Sequence, residues 1–133
     1  MAAFGTVSQA RLSTCDDRLQ RLFAEVVRGF DCVIMEGHRD QATQDAYFHA
    51  GKSRLPWPKG KHCASPSQAV DAAPYLGGKA SYDQRQCLHF AGYVLGVAAQ
   101  LGIPLRWGGD WDGDHEAVTD QDFQDLVHFE LLG

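Results

Sequence analysis

Two segments carry residue types suited to hydrolytic chemistry. His62 and Asp71 stand nine positions apart, and Asp125-Leu126-Val127-His128-Phe129-Glu130 lies near the C-terminus. Imidazole nitrogens and a carboxylate oxygen are donors that Zn2+ takes, and a His62, Asp71, His128 set leaves the fourth tetrahedral position open for water. A metal in such a site acidifies the water and polarises a carbonyl. A nearby carboxylate then takes the water's proton, and Asp125 precedes His128 by three residues, one helical turn. His128 and Glu130 share a face if a strand begins at His128. No H-E-x-x-H occurs, which excludes the helical two-histidine zinc motif. Asp71 sits between Val70 and Ala72, where an unpaired buried carboxylate would cost on the order of several kcal/mol. Its cation is a metal or an arginine, Arg39 or Arg106. His128 taken alone also reads as a hydrogen-bonded core histidine.

A third segment, Arg106-Trp107-Gly108-Gly109-Asp110-Trp111, sets glycines beside two tryptophans. That pattern suits backbone lying close to a ligand, or a core tryptophan pair with a turn. Asp110, Asp112, Asp114 and Glu116 alternate along the next stretch and offer oxygen donors for Ca2+, although His115 stands where an EF-hand has glycine. Cys15, Cys32, Cys63 and Cys87 form no C-x-x-C pair, so they read as reduced and buried. Cys63 is a soft competitor beside His62. Cys63 or Cys32 with a histidine would instead make a cysteine peptidase, sensitive to alkylation and indifferent to chelator.

The elements that must position these groups are legible in part. Thr14 and Asp17 form a T-x-x-D cap pattern. Leu19, Leu22, Phe23, Val26, Val27 and Phe30 then recur at helical spacing, which predicts an amphipathic helix ending near Phe30. Cys32 to Met35 reads as a buried strand. Asp40 caps a helix from Gln41 to Ala50. Residues 52–68 hold three prolines and a glycine and read as a long functional loop. Ala69 to Tyr75 is a strand, with Ala69, Asp71 and Ala73 on one face. Gly77-Gly78 turns the chain. Ser81 caps a helix to about Leu101, stopped by Gly102 and Pro104. Leu105 to Trp107 is a short strand, Asp122 to Val127 one helical turn, and His128 to Leu132 a last strand. The mixture predicts an α+β fold, helices packed on a small, mostly antiparallel sheet.

Length and charge narrow the class further. The chain has 133 residues, 44% hydrophobic and 22% charged, so a single domain over residues 1–133 is expected. A net charge of −5 disfavours a general nucleic-acid binder. No apolar run approaches the roughly 20 residues of a membrane span, and no classical signal peptide is visible. Charge is segregated: four cations (Lys52, Arg54, Lys59, Lys61) and no acid between Ala46 and Val70, eight acids and no Lys or Arg between Trp107 and Gly133. The two stretches are solvated loops of opposite sign, or an acidic region facing a basic one that binds substrate carboxylates.

In order, these segments resemble the zinc peptidases of the D-alanyl-D-alanine carboxypeptidase and L-alanyl-D-glutamate endopeptidase family, especially short phage endolysins. The resemblance runs through S-x-x-x-L (Ser8–Leu12), E-G-H-R-x-x-x-x-Q (Glu36–Gln44), K-H…S-P-S-x-A-V-D-x-x-P-Y (Lys61–Tyr75), L-R-W-G-G-D-W (Leu105–Trp111) and D-x-x-H-F-E-L (Asp125–Leu131). It implies a hedgehog/D-Ala-D-Ala metallopeptidase-like fold and one Zn2+ per chain on His62, Asp71 and His128. Asp125 would be the catalytic base and Arg39 the group at the oxyanion or a peptide carboxylate, with Gln44 and Trp107 also at the substrate. The substrate would be the peptidoglycan stem peptide, cut at L-Ala–D-Glu, or alternatively at D-Ala–D-Ala. A zinc-bearing module without turnover is the non-enzyme alternative, and Asp125 speaks against it. A monomer made in the host cytoplasm and acting at the wall after release is implied. Many relatives place six residues between the histidine and the aspartate; here eight intervene, Gly60 takes the serine position and Ser67 the glycine position, so the loop is expected to bulge.

Overall fold

The computed structural model of the chain describes residues 2–118 and 124–133. Helices α1 (Thr6–Leu12), α2 (Asp17–Gly29), α3 (Gln41–His49) and α4 (Gln84–Leu101) alternate with strands β1 (Cys32–Glu36), β2 (Ala69–Leu76), β3 (Lys79–Ala80), β4 (Leu105–Gly108) and β5 (Asp125–Leu131). All strand pairings are antiparallel, in the order β1-β2-β5-β4, with β3 completing a hairpin on β2. The expected α+β architecture is therefore observed.

Strand periodicity divides the sheet into two faces. Val70 and Ala72 of β2 and Phe129 and Leu131 of β5 point one way, into a core closed by Leu22, Phe23 and Val26 of α2 and Phe90 and Val94 of α4. Phe129 meets Phe23 and Phe90 edge-on, with ring centroids 5.8 and 6.1 Å apart. Asp71, His128 and Glu130 alternate with those residues and project from the opposite face, away from the helices. The apolar half of each strand thus builds the core, and its polar half is left for the site.

Several boundaries differ from the sequence reading. The α2 cap is Asp16, whose carboxylate accepts from the Arg18 N–H at 2.9 Å; Thr14 instead bonds the Arg11 carbonyl and receives the His38 N–H. The α4 cap is Asp83, not Ser81. At each site the aspartate nearer the first turn takes the free N–H groups, as capping chemistry favours. Gly102 ends α4 at φ 72°, a left-handed conformation cheap only for glycine. Helix α1 has no side-chain cap and gave no sequence signal.

The expected helical turn over Asp122 to Val127 is corrected where it can be seen. Asp122 and Phe123 lie outside the described residues, and Asp125 to Val127 belong to β5. Between the pairs Trp107↔Phe129 and Gly108↔Asp125, one step on β4 spans four on β5. That bulge returns Asp125 toward the polar face although its spacing from His128 is odd. Among the described residues no helix is long and apolar enough to cross a membrane.

Candidate metal centre

Asp71 and His128 are cross-strand partners in the β2–β5 ladder, so sheet register alone sets their side chains together. His62 arrives from the other side on a one-turn 3₁₀ helix, Lys61–Cys63. The eight intervening residues are accommodated by a closed loop, in which the Gln68 N–H bonds the Lys61 carbonyl at 2.9 Å. Arg39 N–H bonds the His62 carbonyl at 2.8 Å and fixes the turn against the start of α3. His62 reaches the site despite the longer spacing.

Three donor atoms converge. His62 Nε2 stands 3.1 Å from Asp71 Oδ1 and 3.3 Å from His128 Nδ1, and His128 Nδ1 is 3.4 Å from Asp71 Oδ1. Four ligands at about 2.0–2.1 Å around a tetrahedral Zn2+ stand about 3.3–3.4 Å from one another. The triangle has the size such an ion requires. The outer ring nitrogens are also committed: His62 Nδ1 to the Gly37 carbonyl at 2.7 Å, His128 Nε2 to Glu130 Oε1 at 2.8 Å. With the outer nitrogen of each ring so held, the inner nitrogen is the one left to ligate, the arrangement outer-shell partners impose on metal-bound histidines. The residues present fit a divalent cation with two neutral imidazoles and one carboxylate.

Electrostatics agree. Burial would raise Asp71, but the charge and hydrogen bonds of His62 and His128 hold it far below the usual carboxylate range. Burial opposes a charged His128, yet its bonds to Asp71 and Glu130 push it up to about 9. Burial likewise acts to raise Glu130, and His128 with Arg106 brings it down to about 2. Asp125 is raised, first by burial and then by the Asp71 charge, as suits a group that must accept and return a proton.

A cavity of about 250 Å³ opens over this centre. Asp125, His128 and Glu130 line it, together with Arg39 and Gln44, Lys52 to Leu55, Gly60 to His62, Arg106 and Trp111. The basic and acidic stretches thus both contribute residues to one cavity. Arg39 bonds Glu36 through Nε at 2.7 Å and again through Nη2, lies 3.8 Å from Asp71, and donates to Gln44 Oε1 at 2.9 Å. Buried Gln44 in turn donates to Ser53 Oγ at 3.0 Å and the Leu55 carbonyl at 2.5 Å, bracing the long loop against Arg39. Arg106 pairs with Glu130 at 2.7 Å, not with Asp71.

Trp107 does not line this cavity. Its neighbour Arg106 is on the polar face, so Trp107 falls on the core face, buried, and donates its indole N–H to the Leu126 carbonyl at 2.9 Å. It pins the bulge that carries Asp125. The tryptophan at the cavity is Trp111, 5.5 Å from the His128 ring. Glu130 and Glu36 escaped assignment, although Glu130 is two residues beyond His128 on one strand and Glu36 three before Arg39, both visible spacings. All four cysteines are free and buried, and burial raises every thiol, which is the reverse of an activated nucleophile. Cys63 is not among the converging donors.

Asp110, Asp112 and Asp114 bring carboxylate oxygens within 4.8 Å of one another. Asp110 Oδ1 is buried without a hydrogen-bond partner, and His115 itself adopts φ 71°, the conformation an EF-hand takes from glycine.

Residues 1–132 match the family described as phage L-alanyl-D-glutamate peptidase. Among solved structures, the chain is similar to the crystal structure of a Serratia marcescens L-Ala D-Glu endopeptidase, with a TM-score of 0.78, 25% identity, and coverage of 97% of this chain and 89% of that chain. No curated protein matches.

Proposed function

The chain belongs to the phage L-alanyl-D-glutamate peptidase family, and we propose that it cuts the L-Ala–D-Glu bond of the peptidoglycan stem using a single Zn2+ on His62, Asp71 and His128. The observation that carries this reading is the 3.1–3.4 Å triangle of donor atoms beside a half-buried carboxylate. Zn2+ bound there supplies Lewis acidity, lowering the pKa of a water and polarising the scissile carbonyl. Asp125 accepts the proton of the attacking water and delivers it to the departing glutamyl amine. Arg39, held rigid by Glu36 and Gln44, presents its remaining N–H donors to the developing oxyanion. Glu130 and the Gly37 carbonyl keep both histidines in the ligating tautomer. The whole chain acts as one catalytic domain and a monomer, made in the host cytoplasm and reaching the wall on release.

Mass spectrometry of peptidoglycan digested by the pure protein tests the reading. New alanyl C-termini and glutamyl N-termini are expected, abolished by EDTA and restored by Zn2+. Cleavage at D-Ala–D-Ala, or digestion that survives chelation, would overturn it.

The Asp110–Asp112–Asp114 cluster holds Ca2+ in the same proposal. Crowded carboxylates with one unbonded buried oxygen gain most from a hard cation. Calorimetry is expected to show saturable Ca2+ heat that Asp110→Asn and Asp112→Asn together remove; a flat wild-type titration refutes it.

A further inference from the structure

The cavity is unevenly charged in a way the catalytic centre does not require. Of its cations, Arg39 is tied to Glu36 and Asp71, and Lys61 and Arg106 to Glu130; Arg54 also lines it and is not without a partner. Lys52 also lines the cavity but has no carboxylate partner among the described residues. Its ammonium stands 5.9 Å from the Tyr47 ring centroid, and Arg39 lies 4.5 Å from the same centroid, so one aromatic ring adjoins two cations at the cavity. The backbone beneath is fixed: Lys52 and Ser53 N–H groups bond the Tyr47 carbonyl at 2.9 and 3.2 Å, and Gln44 grips Ser53 and Leu55.

The substrate supplies the missing anion. A glutamyl residue on the amine side of the scissile bond has two carboxyl groups, and continuing the peptide consumes one. The other is a free carboxylate or, where capped, a neutral carboxamide. The alanyl side offers only a methyl group. Arg106, which also lines the cavity, is already paired with Glu130 and lies 5.8 Å from the Trp111 ring centroid. Charge therefore favours the glutamate carboxylate at Lys52.

We propose that Lys52 is a specificity-determining residue that binds this free carboxylate, so the enzyme selects stems whose glutamate is not amidated. The inference rests on the peptidase reading above. The test compares two synthetic stem peptides identical except for glutamate carboxylate or carboxamide. Wild-type kcat/KM is expected to favour the carboxylate by about tenfold, the scale of one charge-assisted contact, with most of the difference in KM. Lys52→Met brings the ratio near one, and Lys52→Arg keeps it. Lys59→Met, at an exposed lysine of the same loop outside the cavity, leaves it unchanged. Equal wild-type rates on both peptides, a preference that survives in Lys52→Met, or one equally lost in Lys59→Met overturns the assignment. Cleavage of neither peptide overturns instead the bond specificity on which it stands.

Discussion

Asp125→Asn is expected to keep its metal and lose about 10²–10⁴-fold in kcat, the range for removing a general base. The carboxylate is not one of the three converging donors, so metal content by elemental analysis should equal wild type. Its pKa is raised by burial and by the Asp71 charge, and both depend on where the β5 bulge holds it. That place is tight: a Cβ on Gly108 would collide with the Asp125 carbonyl oxygen. Because the base acts in the transition state, kcat and kcat/KM should fall together. A variant within a few-fold of wild type, or one depleted of metal, would remove Asp125 from this role.

Asp71→Asn is expected to abolish stoichiometric metal binding and with it wall cleavage. Two neutral imidazoles remain, and the one anionic donor is gone. Thermal melts separate this from simple misfolding. Metal at about 1,000-fold above its Kd stabilises the wild-type fold by about 4 kcal/mol, or roughly 10–20 °C for a domain of this size; the variant's melting point should ignore added metal. The wild-type affinity should also depend on pH with a defined sign. In the metal-free protein the bonds to Asp71 and Glu130 outweigh burial and push His128 up to about 9. Metal must displace that proton, so affinity rises roughly tenfold per pH unit between about 6 and 8. An affinity flat over that window contradicts His128 as a ligand.

Much of the centre was legible because its chemistry sits on regular strands. Asp71 within an apolar run implied a buried cation, and strand periodicity put His128 and Glu130 on one face. Arg39 is paired with Glu36 and lies at the cavity, 3.8 Å from Asp71. The failures share a cause, that local spacing is silent on tertiary register. Asp125 and His128 looked like one turn of helix because three residues is a helical interval, whereas a bulge against β4 produces the same proximity. Trp107 looked like a ligand contact because glycines adjoin it; those glycines admit the close approach of β5 and of its own ring. Caps at Asp16 and Asp83 competed with Thr14 and Ser81 two residues earlier, a margin within which end chemistry alone does not decide. The role of Lys52 depends on Tyr47, Gln44 and the cleft wall meeting in space.

Two of the three converging donors belong to the sheet and one does not. Asp71 and His128 face each other across neighbouring strands over the core, whereas His62 is carried by a single 3₁₀ turn. Amide exchange should therefore show two tiers, with the strands opening only on global unfolding and the His62 segment opening on its own at lower cost. Release of an ion held by this triad would then follow the lesser event. Half of the coordination sphere would stay preassembled through each such excursion, and recapture becomes a hinge-like return of one imidazole.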